Sequence, residues 1–271
     1  MREVKAILII PDLLKTGDTV AVTATSGPCD PQKLAKGVKV LEAMGLNVKV
    51  MPSCYARHGT YLAGTDKMRL DDLHAAFANR NVKGIFAARG GYGAARLLPH
   101  LDYEMIRKNA KVFVGFSDVT ALHIAFNQIC KMVTFHGPMV ASCLGEADGE
   151  TVKALQNAVM HPSAESLFIG GNLSVVASTI GTPWEIETRG RILFLEEIQE
   201  EPYRVDRLLL QLKLAGKFED AAGIAFGSFH PETLETLKIA IDELVLSEGK
   251  PTVWGMPCGH TSPNITLRLG G

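Results

Sequence analysis

The 271-residue chain is 46 % hydrophobic, enough to bury a sizeable core in one or two domains, and its formal net charge of −1 without any basic run argues against a nucleic-acid partner, which needs a concentrated positive face. No apolar stretch approaches the ~20 residues of a membrane helix, and the N-terminal run AILIIP is shorter than a signal-peptide core and lacks an A-x-A-like site after it. The five cysteines (29, 54, 130, 143, 258) are scattered without a C-x-x-C, against a disulfide framework or a thiolate zinc site, so the expectation is a soluble, reduced, cytoplasmic protein.

In chain order, TVAVTA (19–24) reads as a buried strand, followed by Ser26-Gly27-Pro28 and a helix over 31–44 that Gly45 closes. LNVKVM (46–51) is a second strand, and DKMRLDDLHAAFAN (66–79) a helix with Leu70, Leu73, Ala76 and Phe77 on one face. GIFAA (84–88) is a third strand and runs into ARGGYGAARLL (88–98). As a dinucleotide fingerprint that motif fails: Arg96 stands where the third glycine belongs, and no acid follows about 20 residues on in the expected place. It remains either a turn needing positive φ or a place where a backbone N–H approaches a substrate oxygen.

KVFVGF (111–116) is a fourth strand, Ser117-Asp118 follow it directly, and TALHIAFNQIC (120–130) is helical. Ser and Asp there fit helix capping; the same pair on a tight strand-to-helix turn fits a nucleophile at the carboxyl edge of a sheet. MVTFHGP (132–138) starts a fifth strand. Strands alternating with helices imply a parallel sheet whose ligands bind beyond the strands' carboxyl ends.

Past Ser142, CLGEADGETV is polar and turn-rich, which predicts a linker at 143–165 between an N-terminal α/β domain (1–142) and a C-terminal domain (166–271). In the latter, Gly170-Gly171 sits in a strand-like stretch and RILFLEE (191–197) is a strand. A helix over 202–216 follows, with Val205, Leu208, Leu209 and Leu212 at helical spacing. AGIAFGSF (222–229) is a strand, 233–249 a helix and TVWGMP (252–257) a last core strand. NITLRLGG alternates like a strand just begun, as though the chain stopped early.

Glu196 and Glu197 end the RILFL strand, where adjacent side chains point to opposite faces, so one of them at most faces a shared site; otherwise both are solvated acids. The expectation is that Glu196 faces it and that Glu197 tolerates substitution. His260 lies in the loop Pro257–Pro263 beyond a strand, as a general base or as a solvated loop histidine, whereas His74 and His123 lie within helices. With no H-E-x-x-H and no histidine pair at ligand spacing, no metal site is expected.

Taken together, GFSDVTALH, ARGGYGAARLLP, GGNLS, LFLEEIQEEPYRVDRLLLQL and GHTSPNITLRLG resemble the LD-carboxypeptidases, serine peptidases of cytoplasmic peptidoglycan recycling, a family shared by the microcin-immunity peptidases. The resemblance runs from PDLLKTGDTVAVTA to the terminus, with Ala24-Thr25-Ser26 departing from the Pro-Ser pair of many members. It implies an N-terminal parallel-sheet α/β domain, a smaller β-rich C-terminal domain with helices, a homodimer, and a triad of Ser117, Glu196 and His260 lying between the domains. On that footing the backbone N–H groups of Gly91 and Asp118 would hold the oxyanion, and no cofactor or metal is required. Arg89 is a candidate for the substrate's terminal carboxylate, unless it only salt-bridges a helix. The implied substrate is a murein tetrapeptide that loses its terminal D-alanine. The alternatives are a peptidyl or acyl nucleotide, as for the microcin-type members, whose longer insertion before the glutamate strand this chain lacks, and a nucleotide- or sugar-binding module without hydrolytic chemistry.

Overall fold

The computed structural model describes residues 8–161, 167–229 and 231–270; the start of the AILIIP run, residues 162–165 of the expected linker and Gly271 lie outside them. Short β-branched and aromatic runs form the strands β1 (Thr19–Thr23), β2 (Asn47–Val50), β3 (Val82–Ala87), β4 (Val112–Gly115) and β5 (Thr134–His136). Between them lie α1 (Pro31–Ala43), α2 (Asp66–Ala78), α3 (Tyr103–Lys108) and α4 (Thr120–Gln128). Asp30, Thr65 and Asp102 start the first three helices by accepting backbone N–H groups of the first turn, which are otherwise unpaired.

Strand alternation sorts the core of this half. Val20, Val22, Phe86, Val112 and Val114 pack with Leu34 and Leu41 of α1, whereas Ala21, Ile85, Ala87 and Phe113 pack with Leu73 and Phe77 of α2 and Phe126 of α4. Helices therefore cover both faces, as a parallel sheet requires.

The stretch expected to be a linker contains α5 (Gly149–Met160), whose start Asp148 caps through the Thr151 N–H. Leu155 and Val159 of α5 are fully buried in the first core, so the helix is a covering layer of the N-terminal half. Each buried side chain contributes about 1.5–3 kcal/mol by leaving water.

The remaining elements are β6 (Phe168–Asn172), α6 (Leu173–Ser178), β7 (Ile192–Glu196), α7 (Pro202–Leu214), α8 (Lys217–Asp220), β8 (Gly223–Phe226), α9 (Pro231–Leu244), β9 (Thr252–Val253) and β10 (Leu267–Leu269). Among the described residues one ten-stranded sheet results, in the order β2-β1-β3-β4-β5-β10-β6-β7-β8-β9. All pairings are parallel except that of β10 with β5. One expectation changes here. TVWGMP is a two-residue edge strand with Val253 56 % exposed, so it caps the sheet instead of filling its core. NITLRLGG supplies β10, which lies between the two halves of the sheet and joins them.

Candidate active site

β4 ends at Gly115, Phe116 is extended, and Ser117 then turns the chain with φ +62°. That left-handed conformation costs a residue with a side chain about 1–3 kcal/mol and marks a backbone held by its surroundings. A 3₁₀ turn over Ser117–Val119 leads directly into α4. No side-chain cap bond is made at the start of either the turn or α4, so the capping reading of Ser117-Asp118 does not describe the structure. The Asp118 carboxylate instead accepts the Ala94 N–H at 2.8 Å, across to the loop that follows β3. Phe116, Asp118 and Val119 are buried while Ser117 is partly exposed, which leaves its hydroxyl the accessible group of the turn.

That loop, carrying Gly90 and Gly91, lies against the serine. A Cβ on Gly90 would stand 2.9 Å from both Cβ and Oγ of Ser117, so only glycine lets the backbone come this close. Gly91 has φ +106°, and the Gly90 carbonyl accepts from the Gly27 N–H at 3.0 Å. Arg89 is exposed and donates to the Pro28 carbonyl at 2.8 Å, so among the described bonds it ties two loops and pairs with no helix.

Glu196 is the last residue of β7 and is fully buried. Its Oε2 accepts from Nδ1 of His260 at 2.7 Å and from the His260 backbone N–H at 3.4 Å. A carboxylate oxygen can only accept, so Nδ1 carries a proton; in the neutral ring the lone pair then lies on Nε2, the tautomer a general base needs. Gly259 (φ +100°) lets the loop close over the carboxylate, since a Cβ there would stand 2.6 Å from Oε2. The His260 ring packs on that of Phe116, the neighbour of Ser117, with centroids 4.7 Å apart. The turn after β4, the end of β7 and the loop before β10 thus converge.

Two further histidines lie behind Phe116. His136 is fully buried, its ring 5.6 Å from Phe116 and 5.1 Å from Phe194, and burial, with His123 and His260 nearby, holds its pKa well below the usual value. His123 of α4 meets the Gly115 carbonyl through Nε2 and the Thr134 hydroxyl through Nδ1, both at 2.8 Å. The carbonyl accepts, so Nε2 holds the proton and the Thr134 hydroxyl donates to Nδ1; burial lowers the pKa to about 4.

Glu197 departs from the tolerant position expected of it. It is buried, and its Oε1 accepts from Asn172 Nδ2 and the Ile198 N–H at 2.9 Å. Its Oε2 accepts from the Ser174 N–H at 2.9 Å and the Ser174 hydroxyl at 2.6 Å. The two glutamates do turn apart, but the second holds the start of α6 instead of facing water.

Sequence reasoning also missed Arg69, which is fully buried beneath the glycine loop. The signal was available: Arg69 stands four residues before Leu73 and seven before Ala76, on the apolar face of α2, where a charge must have a partner. Among the described residues, no group of three or more His, Cys, Asp or Glu could hold a metal ion, and no helix is long and apolar enough to cross a membrane.

The chain matches the LD-carboxypeptidase N-terminal domain over residues 20–137 and the LD-carboxypeptidase C-terminal domain over residues 165–271. It is 40 % identical to a probable murein peptide carboxypeptidase of Bacillus subtilis over 100 % of this chain and 92 % of the relative. Among solved structures it is similar to an MccF-like protein from Bacillus anthracis, with TM-score 0.89, 27 % identity and coverage of 97 % of this chain and 94 % of that one. A muramoyltetrapeptide carboxypeptidase from Oxalobacter formigenes gives TM-score 0.82 at 31 % identity, with 93 % of each chain covered.

Proposed function

Because the chain belongs to the LD-carboxypeptidase family, we propose that it is a serine carboxypeptidase that releases the terminal D-alanine of murein tetrapeptides during peptidoglycan recycling. The observation that carries the chemistry is the Glu196–His260 pair at 2.7 Å beside the turn that presents Ser117. His260 Nε2 takes the hydroxyl proton as Ser117 Oγ attacks the carbonyl of the L-configured diamino acid. Glu196 keeps Nδ1 protonated and stabilises the imidazolium that forms. The backbone N–H groups of Gly91 and Asp118 hold the oxyanion, and the imidazolium then protonates the departing amine of D-alanine. Water, activated by the same imidazole, hydrolyses the acyl-enzyme. Arg89, exposed beside the glycine loop, takes the terminal carboxylate.

The murein assignment rests on full-length similarity to a murein peptide carboxypeptidase, and nothing in the chemistry calls for a metal or cofactor. The same reading makes the protein a cytoplasmic homodimer; sedimentation returning the mass of a single 29.3 kDa chain at working concentration refutes the dimer. The deciding experiment incubates the protein with a murein tetrapeptide and, separately, with a peptidyl nucleotide. Release of D-alanine, insensitive to EDTA and abolished by Ser117→Ala, is expected. Cleavage of the nucleotide alone assigns a microcin-type substrate, and zinc-reversible loss on chelation overturns the serine mechanism.

A further inference from the structure

The carbonyl of Gly93 and the N–H of Ala94 belong to one peptide unit, and both ends of it are held by buried charged side chains. Arg69 Nη1 donates to the Gly93 carbonyl at 2.9 Å, and Asp118 Oδ2 accepts the Ala94 N–H at 2.8 Å. Arg69 Nη1 also donates to the Thr25 carbonyl, and Nη2 pairs with Asp66 at 2.5 Å. The arginine therefore joins the segment after β1 to the segment after β3, and Asp118, the residue next to Ser117, ties the latter to the turn after β4. Three residues before Ala94 stands Gly91, and Gly90 lies against Ser117 itself. Hydrogen bonds to charged groups in a low-dielectric interior are stronger than neutral ones, so this peptide is fixed in orientation more firmly than a surface turn would be. Burial pushes the Asp118 carboxyl above the usual carboxylate range, against the pull of the Ser26 hydroxyl, the Ala94 N–H and the Arg69 charge.

We propose that Asp118 and Arg69 are positioning residues: they clamp the 93–94 peptide from its two ends and so fix the glycine loop that stabilises the oxyanion over Ser117. Neither side chain touches the reacting atoms. A donor displaced by about 1 Å can cost as much as ~10²-fold in rate, whereas ground-state binding through the rest of the substrate is largely kept. The clamp presupposes Ser117 as nucleophile, and therefore rests on the function proposed above.

The test uses a fluorophosphonate, whose tetrahedral adduct on a serine places a phosphoryl oxygen in the oxyanion position, alongside D-alanine release from a tetrapeptide. Asp118→Ala is expected to lower both kcat and the labelling rate by about 10–10²-fold while KM stays within about threefold, the pattern of an interaction made in the transition state. Asp118→Asn, isosteric and able to accept the same hydrogen bond without charge, should fall between the alanine variant and the wild type. It decides the matter if the alanine variant does not fold. Arg69→Lys should fall in the same direction. A folded Asp118→Asn with wild-type kcat and labelling overturns the clamp, as does a loss confined to KM. Wild-type labelling without D-alanine release refutes the murein substrate and leaves the clamp measurable by labelling. A wild type that is not labelled at Ser117 overturns both.

Discussion

Glu196 and Glu197 are adjacent acids with different partners, and the consequence is measurable. Removing the charge beside His260 Nδ1 by Glu196→Gln should lower kcat by roughly 10²–10⁴, in keeping with the analogous change in a Ser-His-Asp site, with little change in melting temperature. Glu197→Gln puts an amide N–H₂ among the donors from Asn172, Ser174 and Ile198, and should cost about 1–3 kcal/mol of stability, read as a fall of several degrees in Tm. A wild-type melt for Glu197→Gln would mean that the carboxylate does not hold α6. Ser117 offers a second contrast. Ser117→Ala and Ser117→Gly should both lose at least about 10³ in kcat, yet the glycine variant should melt at or above the alanine variant, because φ +62° suits only glycine. That alternation turns the two acids apart was legible in the sequence; what each one meets was not, because Asn172 and Ser174 reach Glu197 from 23 or more residues away along the chain.

Single elements were legible where the periodicity was strong. α1, α2 and α7 and the strands β1, β3 and β7 lie where the sequence pattern put them, within about two residues at each end. α5 was hidden by the polar run CLGEADG before it, although Asp148 at its cap and Leu155 and Val159 four apart carry a helix signal. A linker would tolerate truncation at 155, whereas here Leu155→Ala should destabilise by about 2–5 kcal/mol through lost burial and a cavity against α1 and the sheet. Urea titration gives the value; a loss under ~0.5 kcal/mol would refute the packing described. The pattern misled at β9, whereas at β10 it showed the strand but not its place. TVWGMP has the composition of a core strand but, among the described residues, no neighbour beyond it, and residues 267–269 sit at the join of the sheet. Strand position is set by partners distant in sequence, which no local pattern reports.

For the molecule as a whole, the buried histidines set a pH dependence with a definite sign. A histidine whose pKa is lower folded than unfolded binds protons better when unfolded, so its contribution to stability is intact above pH ~6.5 and is lost as the pH falls below that. For His123, with a folded pKa of about 4, the loss approaches about 3 kcal/mol by that pH, and His136 adds to it in the same direction. Stability from urea unfolding should therefore fall from pH 6.5 to 4. His136→Leu, which removes one titrating group from the cage of Phe116 and Phe194, should flatten that fall by up to one proton's worth of slope. An unchanged slope would show that His136 takes up its proton equally well in the folded state.

Placing β10 at the join of the sheet has a consequence for synthesis. The proposed nucleophile is translated at residue 117, its proposed acid partner at 196 and its proposed base at 260, and the strand that lies between β5 and β6 follows only at 267–269. A ribosome-bound chain with β1–β5 already exposed carries a serine without a base beside it. If the triad is as proposed, hydrolytic competence arises only once β10 threads between the halves, and nascent chains that have not yet reached it are inert toward peptide bonds around them.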